Sequence, residues 1–137
     1  MRKEYVLDAN AVLIYLEDRS GADRVRQLFQ QVQNERAWLA MSVVNWGEVF
    51  YVLAKKLGED RTRRLMQPLR KGIDLLPADA TQAELAAAFK YKYRIAYAGG
   101  FAAALATTNR ATLVTSDPDF DIFAPRVKIM RLPRQVS

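Results

Sequence analysis

The sequence predicts an α/β fold, a three-layer α/β/α sandwich built on a mainly parallel five-stranded sheet. Three observations support this. Short apolar runs alternate with longer helical patterns along the chain, as in α/β proteins. Repeats, low-complexity tracts and linker-like clusters of Gly, Ser and Pro are all missing. Finally, 137 residues of which 50% are hydrophobic suit one domain spanning residues 1–137.

The first half of the chain contains five predicted elements. Each apolar run with β character is bounded by a turn or a polar residue, and each helix shows apolar residues at spacings of three and four. The second predicted helix is the clearest amphipathic segment, and Gly58 is a suitable residue to end the third. In chain order the elements are a strand at 5–7, a helix at 9–17, a helix at 22–33, a strand at 37–41 and a helix at 43–57.

The second half continues the alternation. A capping box at 81–84 predicts the start of one helix, and the Gly99-Gly100 pair predicts a break before the next. Pro77 is expected to end the strand before the capping box. In chain order the elements are a basic amphipathic segment at 60–71, a strand at 73–76, a helix reaching Arg94, a helix at 101–108, and strands at 112–115 and 127–132.

Composition excludes several chemistries. The chain has no Cys and no His, so thiolate nucleophiles, Ser-His-Asp triads and His or Cys metal ligands are ruled out. Lys and Arg number 21 against 15 Asp and Glu, a net charge of +6 that favours a polyanionic partner such as nucleic acid, although an ordinary basic protein fits as well. No signal segment and no apolar run of membrane-spanning length is present, so we expect a cytoplasmic protein without membrane association.

Three carboxylates stand out by position. Asp8 follows the first predicted strand and Asp117 the fourth, and in a parallel sheet the functional crevice lies outside the carboxyl ends of the strands. Glu48 interrupts a nearly apolar helix. Simpler roles remain open: Asp8 and Asp117 can cap the segments that follow them, and Glu48 can face water at the polar edge of its helix.

Carboxylates converging on one crevice repel one another unless a cation neutralises them. Oxygen donors suit Mg²⁺ or Mn²⁺, and such an ion can activate water and stabilise charge on a phosphoryl group. In a basic chain without His, metal-assisted hydrolysis of a phosphodiester is therefore the favoured chemistry.

Four segments, in this order, resemble the PIN domain, and more narrowly the VapC-type toxins of type II toxin–antitoxin pairs. They are Asp8-Ala9-Asn10, Asn45-Trp46-Gly47-Glu48-Val49, Tyr97-Ala98 with Phe101 to Ala106, and Leu113 to Phe120. The resemblance implies an endoribonuclease dependent on Mg²⁺ or Mn²⁺ that hydrolyses RNA. It also implies a cognate VapB-type antitoxin that blocks the enzyme, a homodimer, and contact with operator DNA only through the antitoxin complex.

The same resemblance assigns site residues. Asp8, Glu48 and Asp117 match the catalytic and metal-binding acids of the family, and Asp119 matches an auxiliary metal position. Asn10 and Thr115 match its supporting polar positions.

One position departs from the family pattern. Gly99 stands where the family has an Asp, between well-matched neighbours. Loss of one anionic ligand is expected to weaken the ion site and therefore the activity. The alternative is a degenerate, non-catalytic PIN module that only binds RNA or antitoxin.

A receiver or a haloacid-dehalogenase-like phosphatase also places Asp at strand ends. However, Asp8-Ala9-Asn10 lacks the second Asp of the dehalogenase signature, and Leu76-Pro77 occupies the place of a receiver's phosphoacceptor.

Several other clusters have more than one interpretation. The cations of 61–71 can line an RNA groove or form a solvated face, while those of 90–94 are favoured as complements to a helix end. The tyrosines at 91, 93 and 97 can stack on bases, although packing is favoured. The apolar face that includes Trp46, Phe50, Tyr51 and Leu53 is core, an antitoxin groove or a dimer seam.

Overall fold

The computed structural model describes residues 2–135. Met1, Val136 and Ser137, which the predicted domain of residues 1–137 includes, lie outside the described residues. Within this range the strands are β1 (Lys3–Leu7), β2 (Ala37–Ser42), β3 (Ile73–Leu76), β4 (Thr112–Thr115) and β5 (Ile129–Arg131). The helices are α1 (Ala9–Leu16), α2 (Ala22–Gln33), α3 (Val43–Leu57), α4 (Glu59–Met66), α5 (Ala80–Tyr93) and α6 (Tyr97–Asn109). Two 3₁₀ segments cover Gln67–Lys71 and Pro118–Phe123.

The five strands form one sheet in the order β3-β2-β1-β4-β5, and every neighbouring pair is parallel. The central strand is β1, where Tyr5 lies opposite Leu39 on one side and Thr112 on the other. Strand order reverses direction around β1, so the ends of β1 and β4 form the switch point at which such sheets bind ligands. The predicted α/β class and parallel sheet are confirmed.

Helices cover both faces of this sheet. Residues of β1 alternate between two apolar clusters, with Tyr5 and Leu7 packed among α1, α2 and α3, and Val6 packed beneath α6. β2 alternates in the same way, with Leu39 in the first cluster and Ala40 in the second. Because successive side chains of a strand point to opposite faces, this division defines the three layers.

The start of α5 differs from the prediction. The helix begins at Ala80, and the Oδ1 atom of Asp79 accepts a hydrogen bond from the backbone N–H of Gln82 at 2.9 Å. Asp79 is therefore the N-cap, and Thr81 lies in the first turn of the helix. The capping box predicted at 81–84 is wrong, because Asp79 is also a favoured capping residue two positions earlier.

The Gly99-Gly100 pair does not break a helix. It lies in the first turn of α6, which begins at Tyr97. A Cβ at Gly100 would lie 2.7 Å from the carbonyl oxygen of Ala86 on α5. Glycine is needed here because α5 and α6 approach closely, and the prediction mistook this packing for a turn.

Two further boundaries shift. The basic segment at 60–71 divides into α4 and a 3₁₀ segment that has Pro68 in its first turn. β5 begins at Ile129, because the backbone N–H of Val127 bonds to the carbonyl of Phe123 and not to a strand. None of the helices among residues 2–135 has the length and apolar character that a membrane crossing needs.

Candidate functional site

A small cleft of about 80 Å³ opens at the carboxyl ends of β1 and β4. Three carboxylates from separate segments of the chain line it: Asp8 after β1, Glu48 on α3 and Asp117 after β4. The remaining lining residues are Ala9, Asn10, Asn45, Ile95, Ala96, Gly99 and Phe120. No Lys or Arg is among these residues, so nothing in the lining balances the carboxylates.

Asp8 is fixed in place by two hydrogen bonds. It is 4% exposed, and its Oδ1 atom accepts from the backbone N–H of Ala11 at 2.8 Å, which caps α1. Its Oδ2 atom accepts from the Oγ1 hydroxyl of Thr115, across the junction of β1 and β4. The capping role left open by the sequence therefore coexists with a position in the cleft.

The pKa of Asp8 is raised from 3.8 to about 7. Burial is the largest cause, because it penalises the charged form. The negative charges of Asp117 and Glu48 raise the pKa further, whereas the hydrogen bonds from Thr115 and Ala11 lower it. A carboxylate with this pKa and no cation beside it gains stability when a positive charge binds in the cleft.

Thr115 connects Asp8 to Asp117. Its Oγ1 atom accepts a hydrogen bond from the backbone N–H of Asp117 at 3.0 Å while donating to Asp8. Asp117 is half-buried and caps the following 3₁₀ segment, because its Oδ1 atom accepts from the backbone N–H of Asp119 at 2.9 Å. The hydroxyl of Thr115 thus sets the spacing between two of the three acids.

α3 contributes two side chains to the cleft, Glu48 and Asn45. Positions three apart lie on one helical face, and Glu48 is exposed whereas Asn45 is 1% exposed. The Nδ2 atom of Asn45 donates to the carbonyl oxygen of Ala98 at 2.8 Å, which ties α3 to the start of α6. Its Oδ1 atom is buried without a hydrogen-bond partner among the described residues. Asn45 was not predicted as a site residue, although its position one turn before Glu48 is a usable signal.

Gly99 also lines the cleft, in the first turn of α6. A Cβ built on Gly99 would lie 3.0 Å from the Cζ atom of Phe120, whose ring is buried. The ring of Phe120 would therefore have to shift by a few tenths of an ångström to admit a side chain at position 99. Phe120 was also missed, since its place depends on how the 3₁₀ segment folds back onto α6.

The two auxiliary positions, Asn10 and Asp119, differ in whether they line the cleft. Asn10 is exposed and lines the cleft. Asp119 is exposed and does not line it; only its backbone N–H reaches Asp117. Asp121, two positions further on, pairs with Arg131.

The donor set can be tested against a divalent ion. In residues 2–135 no three carboxylates lie close enough together to enclose an ion directly. The available donors are nevertheless all oxygens, including the unpaired Oδ1 atom of Asn45. They line one cleft that has no Lys or Arg among its lining residues. Mg²⁺ binds through one or two carboxylates and keeps several waters, so the residues present fit such an ion through partly water-mediated contacts.

An α/β protein with a parallel sheet and an acidic cleft at its switch point is the class that fold and site define together. Residues 5–124 match the PIN domain, and the chain belongs to this family. Among curated proteins, none matches the sequence significantly.

Solved structures share the fold at low sequence identity. The crystal structure of VapBC2 from Rickettsia felis, bound to a DNA fragment from its promoter, has a chain with a TM-score of 0.76 and 16% identity, covering 94% of this chain and 98% of that one. A chain of the DNA-bound VapBC from Salmonella typhimurium has a TM-score of 0.74 and 18% identity, and the match covers 96% of this chain and 98% of that one. A chain of FitAcB from Neisseria gonorrhoeae has a TM-score of 0.69 and 22% identity, and the match covers 93% of this chain and 96% of that one.

Proposed function

We propose that this chain is a VapC-type toxin, a metal-dependent endoribonuclease that hydrolyses RNA phosphodiester bonds and is neutralised by a cognate antitoxin. One observation carries the proposal. Asp8, Glu48 and Asp117, separated by forty and sixty-nine positions in the sequence, line a single cleft that holds no basic residue. Membership of the PIN domain family supports nuclease activity.

Each acid has a distinct role in this proposal. Asp8 is the rigid member, since Thr115 and Ala11 hold both of its oxygens. Glu48 is exposed, so its carboxylate can accept a proton from an attacking water. Asp117 begins the segment after β4 and is the third acid that lines the cleft, where Asn10 is a neutral polar lining residue.

Asp8, Glu48 and Asp117 are the residues that would hold Mg²⁺ or Mn²⁺, with Asp119 reaching the site through water. When bound, such an ion lowers the pKa of a coordinated water and offsets charge on the phosphoryl oxygens. Asp8 would hold the ion in its deprotonated form, and its raised pKa of about 7 makes the amount of that form depend on pH near neutrality.

The net charge of +6 supports a polyanionic substrate such as RNA. Two of the structures of similar fold support the proposed partners, because both are VapBC complexes bound to DNA. We therefore propose a VapB-type antitoxin, a homodimer of this chain, operator DNA bound only through the antitoxin complex, and action in the cytoplasm, where RNA is made and used.

Two features favour a second function. Gly99 contributes no carboxylate, and no three acids of the described residues enclose an ion directly. Both features fit a degenerate PIN module that binds RNA or antitoxin without cleaving. In the enzymatic proposal the same features mean weakened activity.

Cleavage of a labelled single-stranded RNA separates the two functions. We expect cleavage with Mg²⁺ or Mn²⁺ that stops with EDTA and in Asp8→Asn and Glu48→Gln, and persists in the control Asp60→Asn, an exposed acid on α4. Each variant is also made together with Gly99→Asp, so that weak activity is not mistaken for none. Binding without cleavage in every background would establish the module instead.

A further inference from the structure

Two tyrosines lie exposed beside the cleft. Tyr91, near the end of α5, is 88% exposed, and Tyr97, which begins α6, is 45% exposed. They line one shallow pocket of about 550 Å³ together with Ala87, Lys90 and Arg94. We call these residues the tyrosine platform.

The platform adjoins the carboxylate cleft through the chain itself. Ile95 and Ala96 line the cleft, while the residues on either side of them, Arg94 and Tyr97, line the platform. α5 and α6 run antiparallel, since Gln82 near the start of α5 bonds to Thr108 near the end of α6 at 3.0 Å. The last turn of α5 therefore lies at the same edge of the sheet as the acids.

Packing explains only one of the three neighbouring tyrosines. The ring of Tyr93 contacts those of Phe89 and Phe123, at centroid distances of 6.2 and 5.1 Å. Tyr97 makes an edge contact with Phe101 at 5.0 Å, which fixes its ring while almost half of the residue stays exposed. Tyr91 has almost no contact with the core, so packing does not account for it.

Charge indicates what the platform binds. Lys90 and Arg94 are exposed, and neither forms an ion pair within residues 2–135. Exposed aromatic rings for base stacking, interleaved with cations for the backbone, are the usual elements of single-strand binding.

Resting on the endoribonuclease function above, we propose that Tyr91 and Tyr97 stack on bases of single-stranded RNA next to the scissile phosphate. Lys90 and Arg94 contact the adjoining phosphates. The platform makes the approach to the cleft selective for unpaired nucleotides, because a base in a duplex presents no free face to a tyrosine ring.

Binding of a fluorescein-labelled single-stranded RNA, measured by anisotropy in EDTA, tests this without cleavage. Tyr91→Ala is expected to weaken binding about fivefold or more, and Tyr91→Phe to stay within about twofold, since stacking needs only the ring. The matched control is Tyr51→Ala. Tyr51 is another exposed tyrosine, 61% exposed with Lys55 over its ring, but it lies outside cleft and platform.

The cations have their own readout. The Lys90→Gln, Arg94→Gln double variant is expected to reduce the slope of log affinity against log salt by about 1.4, at about 0.7 per single-strand phosphate contact. Sedimentation of each variant shows whether the platform is instead an interface between two copies of the chain.

Several outcomes overturn the platform. They are unchanged RNA affinity in Tyr91→Ala, an equal loss in Tyr51→Ala, or a shift from dimer to monomer in Tyr91→Ala with RNA affinity intact. If the parent chain binds RNA through Tyr91 but never cleaves it, even with Gly99→Asp, the platform stands and the enzymatic proposal fails.

Discussion

At the scale of single residues, Asp8 combines two functions that conflict energetically. Its carboxylate caps α1 and faces two other acids, yet it is almost fully buried. Capping stabilises the helix, whereas burial of the charge and repulsion by its neighbours raise its pKa to about 7. The charged form of Asp8 is therefore destabilised at the place where the proposed chemistry occurs.

This conflict predicts a stability change with a definite sign. In the metal-free protein the folded-state pKa of Asp8 lies above its unfolded value of 3.8, so the free energy of unfolding falls as pH rises from about 4 to about 7. Asp8→Asn keeps an oxygen for the cap and has no such loss. We expect the variant to be more stable by up to about 4 kcal/mol at about pH 8, with a much smaller difference at about pH 4.

Urea unfolding in EDTA at both pH values measures the difference, and Asp60→Asn serves as the exposed control. Equal or lower stability of Asp8→Asn at the higher pH would show that the carboxylate is not destabilised by its surroundings.

Thr115 offers a second test at this scale. Thr115→Val removes the hydroxyl that donates to Asp8 and accepts from Asp117, while keeping the shape of the side chain. Because that hydrogen bond lowers the pKa of Asp8, its loss is expected to raise the pKa and move the pH dependence of Mn²⁺ affinity upward. Titration calorimetry across about pH 6 to about pH 8.5 measures the midpoint. If Thr115→Val and the parent chain have the same pH midpoint for Mn²⁺ affinity, Thr115 does not influence the pKa of Asp8.

At the scale of elements, the start of α6 decides how the cleft is closed. Gly99→Asp adds a carboxylate in the first turn, where a negative charge also complements the helix dipole. The new Cβ meets Phe120 at 3.0 Å, so the ring must move by a few tenths of an ångström. We expect metal-dependent RNA cleavage to rise about tenfold or more, since the ion gains a ligand.

Gly99→Ala is the matched control, because it makes the same contact with Phe120 and adds no charge. The Gly99→Asp, Phe120→Leu double variant gives the carboxylate more room. If neither Asp variant cleaves RNA faster than Gly99→Ala, position 99 does not contribute to the ion site.

The sequence could predict most elements but not the contacts between them. The strand ends that carry Asp8 and Asp117 follow from apolar runs bounded by polar residues, and the parallel order places both at one edge. The close approach of α5 to α6, which requires a glycine at position 100, is not revealed by any local pattern. For the same reason, the buried amide of Asn45 and the ring of Phe120 could not be assigned to the cleft in advance.

Element packing also settles the apolar face of α3. Leu53 is buried in the core, and Trp46 and Phe50 are half-buried against it. Tyr51 is exposed, so only the outer edge of this face is free for a partner. The core interpretation holds for most of the face.

At the scale of the whole molecule, an acidic cleft and a basic groove lie at opposite edges of the sheet. The acidic cleft lies at the carboxyl ends of the strands. A much larger groove of about 1180 Å³ lies at the amino ends of β1, β4 and β5. Its charged lining residues are one acid, Glu4, and six cations: Lys3, Arg24, Arg110, Arg126, Lys128 and Arg131.

The groove and the cleft differ in their charged groups. The large groove holds no paired carboxylates, so its size does not make it the reaction site. In the proposed function its cations contribute to the field that draws a polyanion to the molecule, whereas the small cleft is where a divalent ion and a phosphate would meet.

The central claim is that side chains from three remote segments hold one divalent ion together. Titration calorimetry with Mn²⁺, on the parent chain and on Asp8→Asn, Glu48→Gln and Asp117→Asn, tests it most directly. We predict one site for each chain, weakened about tenfold or more by each of the three substitutions and unchanged in Asp60→Asn. Mn²⁺ binding that survives all three substitutions, or no binding in either the parent or Gly99→Asp, would contradict the account.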